Sequence, residues 1–120
     1  MKKKTVVLGA SPNPARYAYA AVRSLKNLGH EVVALGIRNG VVEGLPILHG
    51  QPAIDGVDTV TLYLNPAHQV AYYDYLLALH PRRIIFNPGS ENPELMRLAR
   101  ERGIGVEVGC TLVMLAIGNY

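Results

Sequence analysis

Residues Thr5 to Arg16 read T-V-V-L-G-A-S-P-N-P-A-R: an apolar run ending in Gly9-Ala10-Ser11, then Asn13 between two prolines, then Arg16. These are residue types that hold a phosphate. A strand that runs into a glycine turn and opens a helix directs backbone N–H groups at whatever lies above the turn. The helix dipole adds positive potential at the same place. Ser11 brings a hydroxyl donor and Arg16 a guanidinium from the first helical turn. The turn carries one glycine where a dinucleotide fingerprint of the form G-x-G-x-x-G carries three, which argues against a general NAD site. The plain alternative is a tight turn at Gly9 beside a solvated arginine.

A second group of candidates follows the next apolar run, Glu31–Leu35. An NAD site places an acid there for the ribose hydroxyls. Here the tip is Gly36-Ile37-Arg38-Asn39. Arg38 suits an additional ribose phosphate, either the 2′-phosphate of NADP or the 3′-phosphate of coenzyme A, and Ile37 suits an adenine face. An exposed loop cation is the alternative for Arg38. Further along, Leu64-Asn65-Pro66 ends a strand, and His68 lies in the helical turn after it, where a helix start favours a neutral imidazole over imidazolium. Asn87-Pro88-Gly89-Ser90 forms a second phosphate-friendly or pantetheine-friendly turn before a helix. Cys110 is the single cysteine and has no flanking cation, so it reads as a small buried hydrophobe. No pair of histidines has metal-ligand spacing, and there is no Walker lysine and no Gly-x-Ser-x-Gly elbow.

The elements that must carry these residues alternate between strand and helix. Thr5–Leu8, Glu31–Leu35, Asp58–Leu64, Arg83–Phe86 and Gly105–Val108 read as strands, with a short one at Pro46–Leu48. Pro14–Leu28 reads as a helix capped by Asn13, with Pro14 at its first position. Ala67–Leu79 reads as a helix with Val70, Tyr73, Leu76 and Leu77 on its apolar face. Pro93–Arg102 is a helix that Asn92 can cap, and Thr111–Ile117 is a short apolar helix. Strictly alternating elements of this kind make right-handed βαβ units. The expected fold is an α/β, Rossmann-like three-layer sandwich, a five-stranded mostly parallel sheet with helices on both faces. Ligands of such sheets bind beyond the carboxyl ends of the strands, where every candidate above falls.

Bulk properties narrow the partners. The 120 residues suffice for a single domain, residues 1–120, with 49% apolar and 18% charged side chains. Net charge is +3, and the Lys2–Lys4 run equals that excess. A short terminal run of this sort is a solvated end rather than a nucleic-acid arm. No apolar stretch is long enough to span a bilayer, no signal peptide is evident, and one cysteine fits a reducing, cytoplasmic setting. We therefore expect a small-molecule, nucleotide-like ligand, with no nucleic acid, no membrane and an oligomeric state left open.

Gly9-Ala10-Ser11 with Asn13-Pro14 and Arg16, the run Leu25 to Gly29-His30-Glu31-Val32, then Val57-Asp58-Thr59-Val60, then Glu94 to Gly103-Ile104 and on to Cys110, together resemble the small bacterial CoA-binding domain proteins. These are stand-alone relatives of the CoA-binding domain of succinyl-CoA synthetase α subunits. The resemblance runs nearly the whole chain in order. It implies a Rossmann-like domain that binds coenzyme A or an acyl-CoA. It implies ligand contacts at Gly9, Ala10, Ser11 and Arg16, at Gly36 to Asn39, at Pro66 and at Asn87 to Gly89. The chain departs from the family at Ala34–Asn39, where a Pro-Val-Asn-Pro-like segment is usual, and at Asn87–Ser90. The synthetase's phosphorylated histidine belongs to a second domain that these residues do not contain, so the expected role is binding without catalysis. Two alternatives stay open: an NADP-binding protein or oxidoreductase fragment, and a non-catalytic interaction protein that has lost its ligand.

Overall fold

Seven strands and five α-helices follow one another along the chain of the computed structural model, which describes residues 2–120. The strands are β1 (Thr5–Leu8), β2 (Val32–Leu35), β3 (Val41–Val42), β4 (Leu45–Pro46), β5 (Thr59–Leu62), β6 (Arg83–Phe86) and β7 (Gly105–Val108). The helices are α1 (Tyr17–Asn27), α2 (Pro66–Gln69), α3 (Tyr73–Leu79), α4 (Pro93–Glu101) and α5 (Thr111–Ile117), with a 3₁₀ turn at Val70–Tyr72 between α2 and α3.

The main sheet has the order β2-β1-β5-β6-β7, and every pair in it is parallel. β3 and β4 form a separate antiparallel hairpin. Just after that hairpin, Leu48 makes a single parallel bridge to Leu35, the last residue of β2. It is the remnant of a sixth strand, and adding it gives the outer order of a dinucleotide-type sheet. This differs from the short strand expected at Pro46–Leu48: the hairpin takes Leu45 and Pro46, and only Leu48 reaches the main sheet.

Alternating side chains cover both faces of the sheet. Val6, Leu8, Val60, Leu62, Ile84 and Phe86 pack under α3 and α4, against Leu76, Leu77, Leu95 and Ala99. Val7 and Ala34 pack under α1, against Ala18, Val22 and Leu25. The face under α5 is more polar, because Thr5, Thr59 and Thr61 point there and are fully buried. Thr61 meets Thr111 hydroxyl to hydroxyl at 2.7 Å, and Thr5 bonds the Tyr120 hydroxyl. Burial of these threonines is tolerated because each hydroxyl has a partner.

Two helix expectations change. α1 begins at Tyr17, with Arg16 in extended backbone at the capping position. Asn13 does not cap it: its Oδ1 accepts the Ala15 N–H at 3.0 Å, closing a local turn around Pro14. The segment expected as one helix over 67–79 breaks at the 3₁₀ turn, and this rotates Val70 into solvent, 57% exposed. Among the described residues, no helix is long and apolar enough to cross a membrane.

Candidate functional site

Three loops at the carboxyl ends of β5, β1 and β2 lie against one another with no room for a side chain between them. A Cβ on Gly9 would sit 2.9 Å from the Tyr63 carbonyl carbon and oxygen, and Gly9 has φ +98°. A Cβ on Gly36 would sit 2.9 Å from the Ala10 carbonyl oxygen, and one on Gly40 would sit 2.7 Å from Pro12. Glycine is therefore required for this stacking of backbone on backbone. The loop after β2 is held further by His49, whose Nε2 lies 2.9 Å from the Arg38 carbonyl oxygen and donates to it.

Above these loops is an open cleft of about 440 Å³. It gathers Gly9, Ala10, Ser11 and Arg16 with Ile37 and Arg38, and with Leu64, His68, Pro88 and Gly89. Ten of the residues singled out from sequence thus share one cavity. Asn13, Gly36, Asn39, Pro66 and Asn87 do not line it. Gly36 packs on Ala10, Asn13 closes its own turn, Pro66 starts α2, and Asn87 is buried. The Asn87 amide is fully engaged inside: Nδ2 donates to Thr61 Oγ1 at 2.6 Å and to the Leu62 carbonyl at 2.9 Å, and Oδ1 accepts the Thr111 N–H at 2.8 Å. Asn87 is a strut beneath the cleft.

The donors at the cleft are not the ones the glycine turn suggested. The N–H groups of Gly9 and Ala10 both bond the Leu35 carbonyl, at 2.8 and 3.1 Å. The N–H groups of Ser11, Tyr17 and Ala18 form no hydrogen bond among the described residues, and all three residues line the cleft. Tyr17 and Ala18 open α1, which carries no acid in its first turn, so its positive end is uncompensated. Ser11 Oγ accepts the Asn13 N–H at 3.1 Å, which leaves its own O–H to donate outward. Among the described residues, neither Arg16 nor Arg38 has an acidic partner within 4.0 Å. Among the described residues, no acid lines the cleft. Free N–H groups at a helix start, a free hydroxyl and two unpaired guanidinium groups are the donor set that an anionic phosphate ligand requires.

Three lining residues, Tyr17, Ala18 and Tyr63, lie outside the sequence expectations, while Asn65 and Ser90 belong to the strand-end turns singled out above. Tyr17 is 77% exposed and Ile37 81% exposed, so two apolar surfaces stand at the rim near the arginines. Tyr63 carries the one buried side-chain oxygen or nitrogen without a partner among the described residues. Thr61 and Thr111, near its hydroxyl, bond each other instead. Burial, with Cys110 close by, pushes the Tyr63 phenol up to about 12. Cys110 itself is half-buried at the start of α5, more open than expected. Among the described residues, no group of three or more His, Cys, Asp or Glu is placed to hold a metal ion.

A parallel α/β sheet of this order, with helices on both faces and an open cleft at its carboxyl edge, defines a Rossmann-like fold. The CoA binding domain family matches residues 3–116. The chain belongs to this CoA-binding domain family, and that membership supports a CoA-binding role. The crystal structure of an uncharacterized protein superposes with a TM-score of 0.98 at 51% identity, over 100% of this chain and 99% of that one. A protein from Thermus thermophilus gives 0.86 at 23% identity, over 99% and 91% of the two chains. A hypothetical protein from Pyrococcus horikoshii OT3 gives 0.83 at 23% identity, over 93% and 80%. The last two likenesses concern the fold. A comparison with curated proteins finds no match.

Proposed function

We propose that this cleft binds coenzyme A or an acyl-CoA and performs no chemistry of its own. One observation carries the proposal: two unpaired arginines, Arg16 and Arg38, converge with the free N–H groups of Ser11, Tyr17 and Ala18 on a cleft without acids. Family membership names the ligand class. In this reading the diphosphate lies over Ser11 and the start of α1, with Arg16 beside it. Arg38 takes the 3′-phosphate, and Ile37 and Tyr17 cover the adenine. The extended arm runs toward His68, Pro88 and Gly89. The setting is cytoplasmic, where free coenzyme A is available to a soluble binder.

Nothing in the donor set supplies a nucleophile paired with a base, the arrangement that covalent catalysis needs. This supports a carrier or sensing role over an enzymatic one. Arg38 would serve a 2′-phosphate as well, so NADPH belongs among the test ligands. Calorimetric titration with coenzyme A, 3′-dephospho-coenzyme A and NADPH tests the proposal. Coenzyme A is expected to bind most tightly and its dephospho form more weakly. Absence of heat with coenzyme A on folded protein would refute it, and tighter binding of NADPH would replace it with the NADP reading.

A further inference from the structure

The cleft has two halves of different chemistry. One is cationic and is built on the loops after β1 and β2, with Arg16 and Arg38. The other carries no arginine or lysine and is built on the loops after β5 and β6. Leu64, Asn65 and His68 line one wall of it, and Pro88, Gly89 and Ser90 the other. A ligand with a charged nucleotide end and an uncharged arm has its two ends sorted by this division.

The two walls of the uncharged half come from separate loops, and a single side chain ties them together. Gln69, the last residue of α2, is fully buried. Its Nε2 donates to the Leu64 carbonyl and to the Ser90 carbonyl, both at 2.8 Å, so one amide nitrogen holds one residue of each wall. Its Oε1 accepts from Asn92 Nδ2 at 2.9 Å. Asn92 in turn donates to the Tyr73 hydroxyl at 2.8 Å, and its Oδ1 caps α4 through the Leu95 N–H at 3.2 Å. Both protons of the Gln69 amide are used, and the orientation of that amide is fixed by Asn92. Such a satisfied buried network holds its members in one arrangement.

Resting on the coenzyme A reading above, we infer that Gln69 is a positioning residue: it sets the separation of the two uncharged walls, and through them the affinity for the arm of the ligand, without touching it. Loss of the amide leaves two buried carbonyls without a donor and frees the loops to part. In the cationic half, Gly36 packs on Ala10 and Gly40 on Pro12, contacts that involve neither Gln69 nor its hydrogen-bond partners.

The test is calorimetric binding of coenzyme A and of adenosine 3′,5′-bisphosphate, which has the nucleotide end and no arm. Wild type, Gln69→Met and Tyr73→Phe are compared, with folding checked by circular dichroism. Gln69→Met keeps the side-chain length and removes the amide. It is expected to lose coenzyme A affinity by more than about tenfold while affinity for the bisphosphate changes by less than about twofold. Should Gln69→Met fail to fold, Tyr73→Phe carries the test. It removes the outer partner of Asn92, together with the exposed bond from the Tyr73 hydroxyl to Glu94, and is expected to show the same asymmetry at roughly threefold. Equal losses for both ligands, or no loss for either in a folded variant, would overturn the inference and leave the coenzyme A reading standing. A wild type that binds neither ligand would overturn that reading and the inference with it.

Discussion

Asn87 and Thr111 are joined by a 2.8 Å hydrogen bond from the Thr111 backbone N–H to Asn87 Oδ1. The bond ties the end of β6 to the start of α5, and the Asn87 Nδ2 extends it to Thr61 and Leu62 on β5. The cleft floor is therefore carried by a buried polar joint between three elements. Asn87→Ala removes all three bonds in a site closed to water. The expected destabilisation is about 3 kcal/mol, since each buried group left unpaired costs roughly 1–3 kcal/mol. Urea unfolding of the two proteins measures it. A change below about 0.5 kcal/mol, the range of ordinary surface substitutions, would show that the joint contributes little.

Gly9 is expected to tolerate no side chain. Its φ of +98° is strained for any other residue, and a Cβ would meet the Tyr63 backbone at 2.9 Å. Gly9→Ala is expected to lose roughly 2–3 kcal/mol of stability and to weaken ligand binding together with it, because the β1 and β5 loops must separate. Thermal unfolding and a binding isotherm on the same sample check both effects.

The two arginines separate by ligand. Arg16→Ala is expected to lower affinity for coenzyme A and for 3′-dephospho-coenzyme A alike, by about tenfold or about 1.4 kcal/mol. Arg38→Ala is expected to weaken coenzyme A alone, so that the two ligands bind equally. Competition titrations with both variants read the difference directly.

The opposite end of the sheet gives a pH dependence. His30 Nδ1 accepts the Lys3 N–H at 2.9 Å, and the ring packs edge-on against Tyr120. Burial, then the charges of Lys2 and Lys3, lower its pKa below the ordinary 6.5. The unfolded chain therefore binds this proton more readily. The contribution of His30 to stability is complete above pH 6.5 and is lost as pH falls toward the lowered folded value. Unfolding midpoints between pH 8 and pH 5 are expected to fall more in wild type than in His30→Gln.

The parts of this fold that could be read from sequence are those bounded by local punctuation. Arg83–Phe86 and Gly105–Val108 are strands with the expected limits, and Thr111–Ile117 is a helix with the expected limits. Each is flanked by proline, glycine or a capping residue that ends it for local reasons. α1 starts at Tyr17 rather than Pro14 because Asn13-Pro14, although it has the composition of a helix cap, closes a turn through the Asn13 side chain that holds Pro14 outside the helix. Gln69 and Tyr63 gave no signal. A glutamine in a helical segment reads as solvated, and its burial arises only when two distant loops close over it. The free N–H groups were legible as a kind and not as residues, because pairing of Gly9 and Ala10 with Leu35 depends on the neighbouring strand.

The central claim is that coenzyme A binds in the cleft between these loops, and amide chemical-shift mapping during a coenzyme A titration tests it most directly. The account expects perturbations at Ser11, Tyr17 and Ala18, at Ile37 and Arg38, and at Gly89 and Ser90, with the His30–Tyr120 end of the sheet unchanged. A saturating titration with no perturbation at Ser11, Tyr17 and Ala18, or with shifts confined to another face, would contradict it.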